Sequence, residues 1–150
     1  MSTTKHAQAD AERYAKEMWY RDTASQQLGM EIISIAPGAA VVTMTVRDDM
    51  INGHGMCHGS FIFALADSAF AFACNSYGPI AVAADCQISF LRPVPPNPKL
   101  TAHAGETYRR GRNGVYDIKV NAEDGETVAV FRGKSRVFSD GSNKNGESAI

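Results

Sequence analysis

The sequence runs to 150 residues, 44% of them apolar and 21% charged, with a formal net charge of -1. That length suits one ordinary domain with a real core, and the composition is that of a soluble globular chain. The near-neutral charge excludes a global basic field, and with it a general affinity for nucleic acid.

Residues 7–28 are expected to form a helix, because Ala7, Ala11, Tyr14, Ala15 and Met18 recur at three- and four-residue spacing. Gly29 is a suitable stop. The stretch "GMEIISIAPGAAVVTMTVR" reads as a hairpin turning at Pro37-Gly38, with β-branched residues on either side. A glycine-rich turn follows, "NGHGMCHG", and then a long apolar helix from Gly59 to Cys74. Ile80 to Leu91 reads as a strand ended by Arg92-Pro93, and "LTAHAGETYRR", "VYDIKVNA" and "TVAVFRGKSRVF" as three more, separated by "GRNG" and "EDGE". Short turns between these four strands imply antiparallel neighbours. The polar tail from Ser139 is expected to be disordered. The result is a single α+β domain, an antiparallel sheet wrapped on a central helix, with no internal repeat.

Three cysteines, Cys57, Cys74 and Cys86, form no dense framework and point to reduced thiols in a cytoplasmic setting. The opening "MSTTKHAQADAERY" lacks the apolar core of a signal peptide, and no uninterrupted apolar run is long enough for a membrane span.

The central helix is apolar almost all round, so it must be covered on every side. One sheet covers only part of it, and a second copy of the chain is the expected cover for the rest, which implies at least a homodimer. Phe61, Phe63, Phe70 and Phe72 are expected in the core, with one or two left to line a pocket. Asp67 is the only charged residue between His58 and Asp85. A buried carboxylate must find a partner or take up a proton. Its plain reading is a loop cap or the partner of a distant arginine. Its functional reading draws on the turn before the helix, whose glycines admit a ligand and whose first amides, Gly59 foremost, can hold a developing oxyanion. At about 100° and 1.5 Å per residue, Asp67 stands on the opposite face from His58 and roughly 13 Å along the axis. One helix cannot bring both groups to one atom; two antiparallel helices across a two-fold axis can.

Asn52, His58-Gly59 and the "LAD" ending at Asp67, continued through "AFACNSYG", "ISFLRP", "GVYDI" and "VAVFRGKS", resemble the hotdog-fold acyl-CoA thioesterases, in particular the phenylacetic acid degradation type. The resemblance spans Gly29 to Arg136. It implies a helix wrapped by a sheet, an active site at a homodimer interface, usually within a homotetramer, and an acyl-CoA substrate such as an aryl-acetyl-CoA. It further implies that Gly59 binds the thioester carbonyl, that Asp67 of the partner subunit serves as general base or nucleophile, that Asn52 and His58 orient carbonyl or water, and that Ser68 helps hold water. Where the family often reads "HGG", this chain has Ser60 in place of the second glycine. No metal or cofactor is required for this chemistry.

Other signals are weaker. His54, Cys57 and His58 have no second ligand pair at zinc spacing, so no metal is expected. His54 reads as a turn residue and Cys57 as a small filler. Arg109, Arg110 and Arg112 at a hairpin, with Arg132, Lys134 and Arg136 alternating on the last strand, form either a solvated edge or a cationic lip for the phosphates of CoA, for which Arg109, Arg112 and Lys134 are the candidates. Two other functions fit the same scaffold. One is an enoyl-CoA hydratase, whose carboxylate would precede the histidine rather than follow it. The other is a non-catalytic acyl-CoA sensor, which would carry a DNA-binding segment absent from the single N-terminal helix.

Overall fold

The computed structural model describes residues 2–138. The expected disorder from Ser139 lies outside the described residues. Helix α1 spans Ser2–Arg21 and a short α2 spans Thr23–Gln27. The single helix expected over 7–28 is thus two. The break comes at Asp22, which leaves the helical region (φ -85°, ψ 74°) so that its carboxylate can accept from the Ser25 amide at 3.0 Å. Asparagine and aspartate compete for backbone donors in this way, and the periodicity of the apolar residues carries no trace of it.

Strands β1 (Glu31–Ala36) and β2 (Ala39–Thr45) form the expected hairpin. Helix α3 runs from Gly59 to Asn75, followed by β3 (Ala81–Phe90), β4 (Lys99–Arg110), β5 (Asn113–Asn121) and β6 (Thr127–Val137). All six strands form one antiparallel sheet in the order β1-β2-β4-β5-β6-β3. Here the expectation of short turns throughout fails at one place. β3 does not pair with β4 but crosses to the far edge, beside β6. The connecting segment 91–98 holds Pro93, Pro95, Pro96 and Pro98, which cannot donate to a hairpin ladder. It is pinned along the end of the sheet instead. The Leu91 amide donates to the Val128 carbonyl at 2.8 Å, and Arg92 grips Asp124 through two bonds of 3.0 and 3.1 Å.

The sheet wraps α3. Ile62, Leu65, Ala66, Ala69, Phe70 and Phe72 are buried, and the alanines let strands approach the helix closely. Phe70 sits against Tyr116 and Phe131, at ring-centroid distances of 5.6 and 6.0 Å. Position 133 is glycine because a Cβ there would stand 2.8 Å from the Phe70 ring. The opposite side of α3 is covered partly by the chain's own N-terminus. Trp19 packs on Phe72 at 6.2 Å, and Ser25 Oγ meets Ser68 Oγ at 2.9 Å. A second copy is therefore not needed to cover all of that side. What stays half-buried or open is a strip through Ser60, Ala64, Asp67, Ala71 and Asn75, spaced as one helix face.

Candidate active site

The turn before α3 is built by Asn52. Its Oδ1 accepts from the His54 and Met56 amides at 2.9 and 3.3 Å, while its own amide donates to the Met56 carbonyl at 2.7 Å. Asparagine suits such turns because its side chain mimics a backbone acceptor. The far end is fixed from two sides. Cys57 donates its amide to the Val94 carbonyl and His58 to the Met50 carbonyl, both at 2.8 Å. His58 is then the N-cap of α3. Its Nδ1 accepts from the Ser60 amide at 3.1 Å and lies 2.8 Å from Ser60 Oγ. With Nδ1 as acceptor, the ring proton of a neutral His58 belongs on Nε2.

Because the cap takes the Ser60 amide, the Gly59 amide is left over. No acceptor for it exists among the described residues. It is thus a free donor at the positive end of a 17-residue helix. The missing side chain is needed too, since a Cβ on Gly59 would lie 3.0 Å from the ring of Phe90. Gly59 faces a groove of about 300 Å³ shared with Met56, Ile62, Phe90 and Leu91.

Asp67 is half-buried, and its carboxylate has no hydrogen-bond or ion-pair partner among the described residues. The loop cap or distant arginine of the plain reading is not there. Burial pushes its pKa above the ordinary carboxylate value. It lines a cleft of about 600 Å³ between α1, α3 and β3, with Tyr14, Met18 and Arg21 on one wall and Ala81–Ala83 on the other. Gly59 and Asp67 thus lie in different clefts of one chain, separated by eight residues of helix or about 12 Å. Only the ionised form of such a carboxylate can accept a proton or attack a carbonyl carbon. Loss of the charge as pH falls should therefore lower kcat/KM, with an inflection above the ordinary carboxylate value of about 4. A pH–rate profile that stays flat down to that value would contradict this.

The remaining candidates are dispersed. Ser68 is engaged with Ser25 under α2. Arg109 lies over the Tyr77 ring at 3.7 Å and reaches Glu106 at 3.5 Å. Arg112 lines a small pocket beside it with Tyr77, Pro79 and Gly114, near the C-terminal end of α3, and makes no ion pair among the described residues. Lys134 pairs with Asp85 at 3.4 Å. One chain does not gather these cations around Gly59. The thiols are poor nucleophiles at neutral pH. Burial pushes Cys57 up, Cys74 to about 12 and Cys86 to about 11. Among the described residues no three His, Cys, Asp or Glu side chains are grouped to hold a metal ion. Phe90, the Ser60 hydroxyl and the α1 wall of the Asp67 cleft are features that the sequence reading missed. For Phe90 the sequence carries no signal, because its nearness to Gly59 follows from where β3 ends in the sheet.

The model of the thioesterase superfamily matches residues 54–129. The acyl-coenzyme A thioesterase PaaI of Escherichia coli is 50% identical over 121 residues, which is 81% of this chain and 86% of that protein. The structure of the E. coli PaaI protein from the phenylacetic acid degradation operon superposes with a TM-score of 0.87 at 47% identity, covering 88% of this chain and 96% of that one. A mutant of the phenylacetic acid degradation protein PaaI from Thermus thermophilus superposes with a TM-score of 0.73 at 40% identity, covering 76% and 97%.

Proposed function

The chain belongs to the thioesterase superfamily, has the hotdog fold and is a thioester hydrolase, and from that premise we propose that it cleaves an aryl-acetyl-CoA, such as a hydroxylated phenylacetyl-CoA, to the free acid and CoA. The observation that carries the site is the unpartnered, half-buried carboxylate of Asp67 in an open cleft. The thioester carbonyl oxygen accepts from the Gly59 amide, which stabilises the negative charge that forms on it. Ionised Asp67 takes a proton from water as the water oxygen bonds to the carbonyl carbon. The C–S bond then breaks and the departing sulfur receives the proton. If Asp67 attacks directly, an anhydride forms first and water cleaves it; both routes need the same charge. Asn52 and His58 hold the turn and the helix start in register with the carbonyl, and Ser68 steadies the helix beside Asp67.

The Asp67 comes from the partner subunit of a homodimer, itself half of a homotetramer. Support lies in the open edge of β3, in the exposed apolar residues just beyond its two ends (Ile80 61%, Leu91 58%) and in the strip of small residues on α3 around Asp67. An unpaired apolar edge invites a second strand. No helix of the described chain is long and apolar enough to cross a membrane. With three free thiols, the enzyme is assigned to the cytoplasm.

Two measurements test this. Thiol release is followed over a panel of aromatic and straight-chain acyl-CoA esters; tight binding without release would indicate a sensor. The shared site is tested by mixing two inactive variants, Asp67→Asn and Gly59→Pro. Proline is tolerated at the first helical position and removes the amide hydrogen; its Cβ stands 3.0 Å from the Phe90 ring, which is half-exposed and must yield by a few tenths of an ångström, and His58 already has the extended conformation (φ -63°, ψ 132°) that a following proline prefers. Refolded together, the variants should regain about a quarter of the unaltered activity, since half the dimers are mixed and each holds one intact site. No recovery would overturn the shared site.

Arg109, Arg112 and Lys134 are assigned to the CoA phosphates, with Arg112 the strongest because no carboxylate pairs with it among the described residues. Arg112→Ala should raise KM about ten- to a hundredfold with kcat unchanged, as a charge-assisted bond of about 1.5–3 kcal/mol would give. The difference should shrink in high salt.

A further inference from the structure

We infer that Phe90 is a specificity-determining residue whose ring packs against the acyl group of the thioester held at Gly59. The inference rests on the reading of Gly59 given above. The Phe90 ring approaches to 3.0–3.4 Å of the point where a Gly59 side chain would begin, so it borders the free amide directly. It is nevertheless 51% exposed, an aromatic face left open at the spot where a carbonyl must dock.

The groove they share is apolar. Met56, Ile62, Leu91, Pro93 and Val94 line it with Phe90, and its one charged side chain, Arg92, is occupied by Asp124 through two bonds. Side chains without a free polar head suit an aryl or alkyl group. They suit the pantetheine arm less, because its amides need partners. The ring is also held in register with the amide. Phe90 pairs with Ala129 on β6, the next residue is bonded to Val128, and Val94 further along the same segment accepts the Cys57 amide at 2.8 Å. Ring and amide are therefore placed by one connected segment. An aromatic acyl group stacked or tilted on Phe90 gains the pairing energy that a straight chain does not.

The test compares phenylacetyl-CoA with hexanoyl-CoA for the unaltered chain, Phe90→Leu and Phe90→Tyr. Leucine keeps apolar bulk and removes the ring; tyrosine keeps the ring. Phe90→Leu should lower the ratio of kcat/KM for the aryl over the straight-chain ester by about fivefold, and Phe90→Tyr should preserve that ratio. Phe90→Met carries the same comparison if the leucine variant does not fold. Equal losses on both esters, as expected of a ring that faces the CoA arm or serves only packing, would overturn the inference, as would an unshifted ratio. Hydrolysis of hexanoyl-CoA alone by the unaltered chain would overturn it too. Absence of thiol release from both esters by the unaltered chain would overturn the proposed function as well.

Discussion

Asp67→Asn should lower kcat by a factor of about 10²–10⁴, the range that a positioned proton acceptor contributes. The substitution keeps the shape of the side chain and removes its charge. Asparagine can neither take a proton from water at neutral pH nor attack a carbonyl carbon, so the loss is expected whichever role the carboxylate has. The same change should raise thermal stability. Burial makes the folded chain hold the Asp67 proton more tightly than the unfolded chain does, which is why its pKa is raised. Well below the unfolded value both states are protonated and the group is without effect. Above the folded value both are ionised, and the folded state alone bears the cost of a partly desolvated charge. At neutral pH the neutral isostere relieves that cost, so the thermal midpoint should move up while thiol release disappears. Such opposed changes are a mark of a functional rather than a structural carboxylate. Thiol release at the unaltered rate in this variant would remove Asp67 from the reaction.

Phe70→Ala should destabilise the fold by about 3–5 kcal/mol, a large share of the about 5–15 kcal/mol available to an ordinary domain. Phe70 is 1% exposed and lies between Tyr116 and Phe131, over the backbone of Gly133. Its removal leaves a cavity between α3 and the middle of the sheet, and the glycine below offers no side chain to fill it. Tyr116, beside it, is tied through its hydroxyl to Glu106 at 3.0 Å and cannot easily swing inward. Urea unfolding at fixed protomer concentration measures the effect. A loss below about 1 kcal/mol would mean that the walls collapse onto the space.

The helix that carries Asp67 was legible because its composition is one-sided. A run with a single charge between His58 and Asp85 announces both burial and an exception to it. The hairpins at Pro37-Gly38, "GRNG" and "EDGE" were legible because glycine and its neighbours encode turns locally. The pairing of β3 with β6 was not, because residues 91–98 resemble a turn in composition, and nothing local says that the chain passes two strands before rejoining the sheet. Nor did periodicity show that α1 and α2 cover part of α3; a second copy and an N-terminal helix offer the same apolar surface to a helix that is apolar all round. Of the site, Asp67 and Gly59 could be singled out by type and spacing. Phe90 could not, since its nearness to Gly59 depends on where the edge strand ends. Charge alone does not reveal that Arg109 already meets Glu106 and Tyr77 while Arg112 makes no ion pair among the described residues.

The late pairing of β3 also orders events during synthesis. Its partners on β6, Ala129 to Val137, emerge from the ribosome roughly forty to fifty-six residues after the β3 positions they meet. Until then β3 has two bare edges beside an apolar helix, the kind of surface on which nascent chains stick to one another. A polysome making this enzyme brings many such chains close together, so the interval between the two strands is its exposure to misassembly and the natural point for a chaperone to intervene.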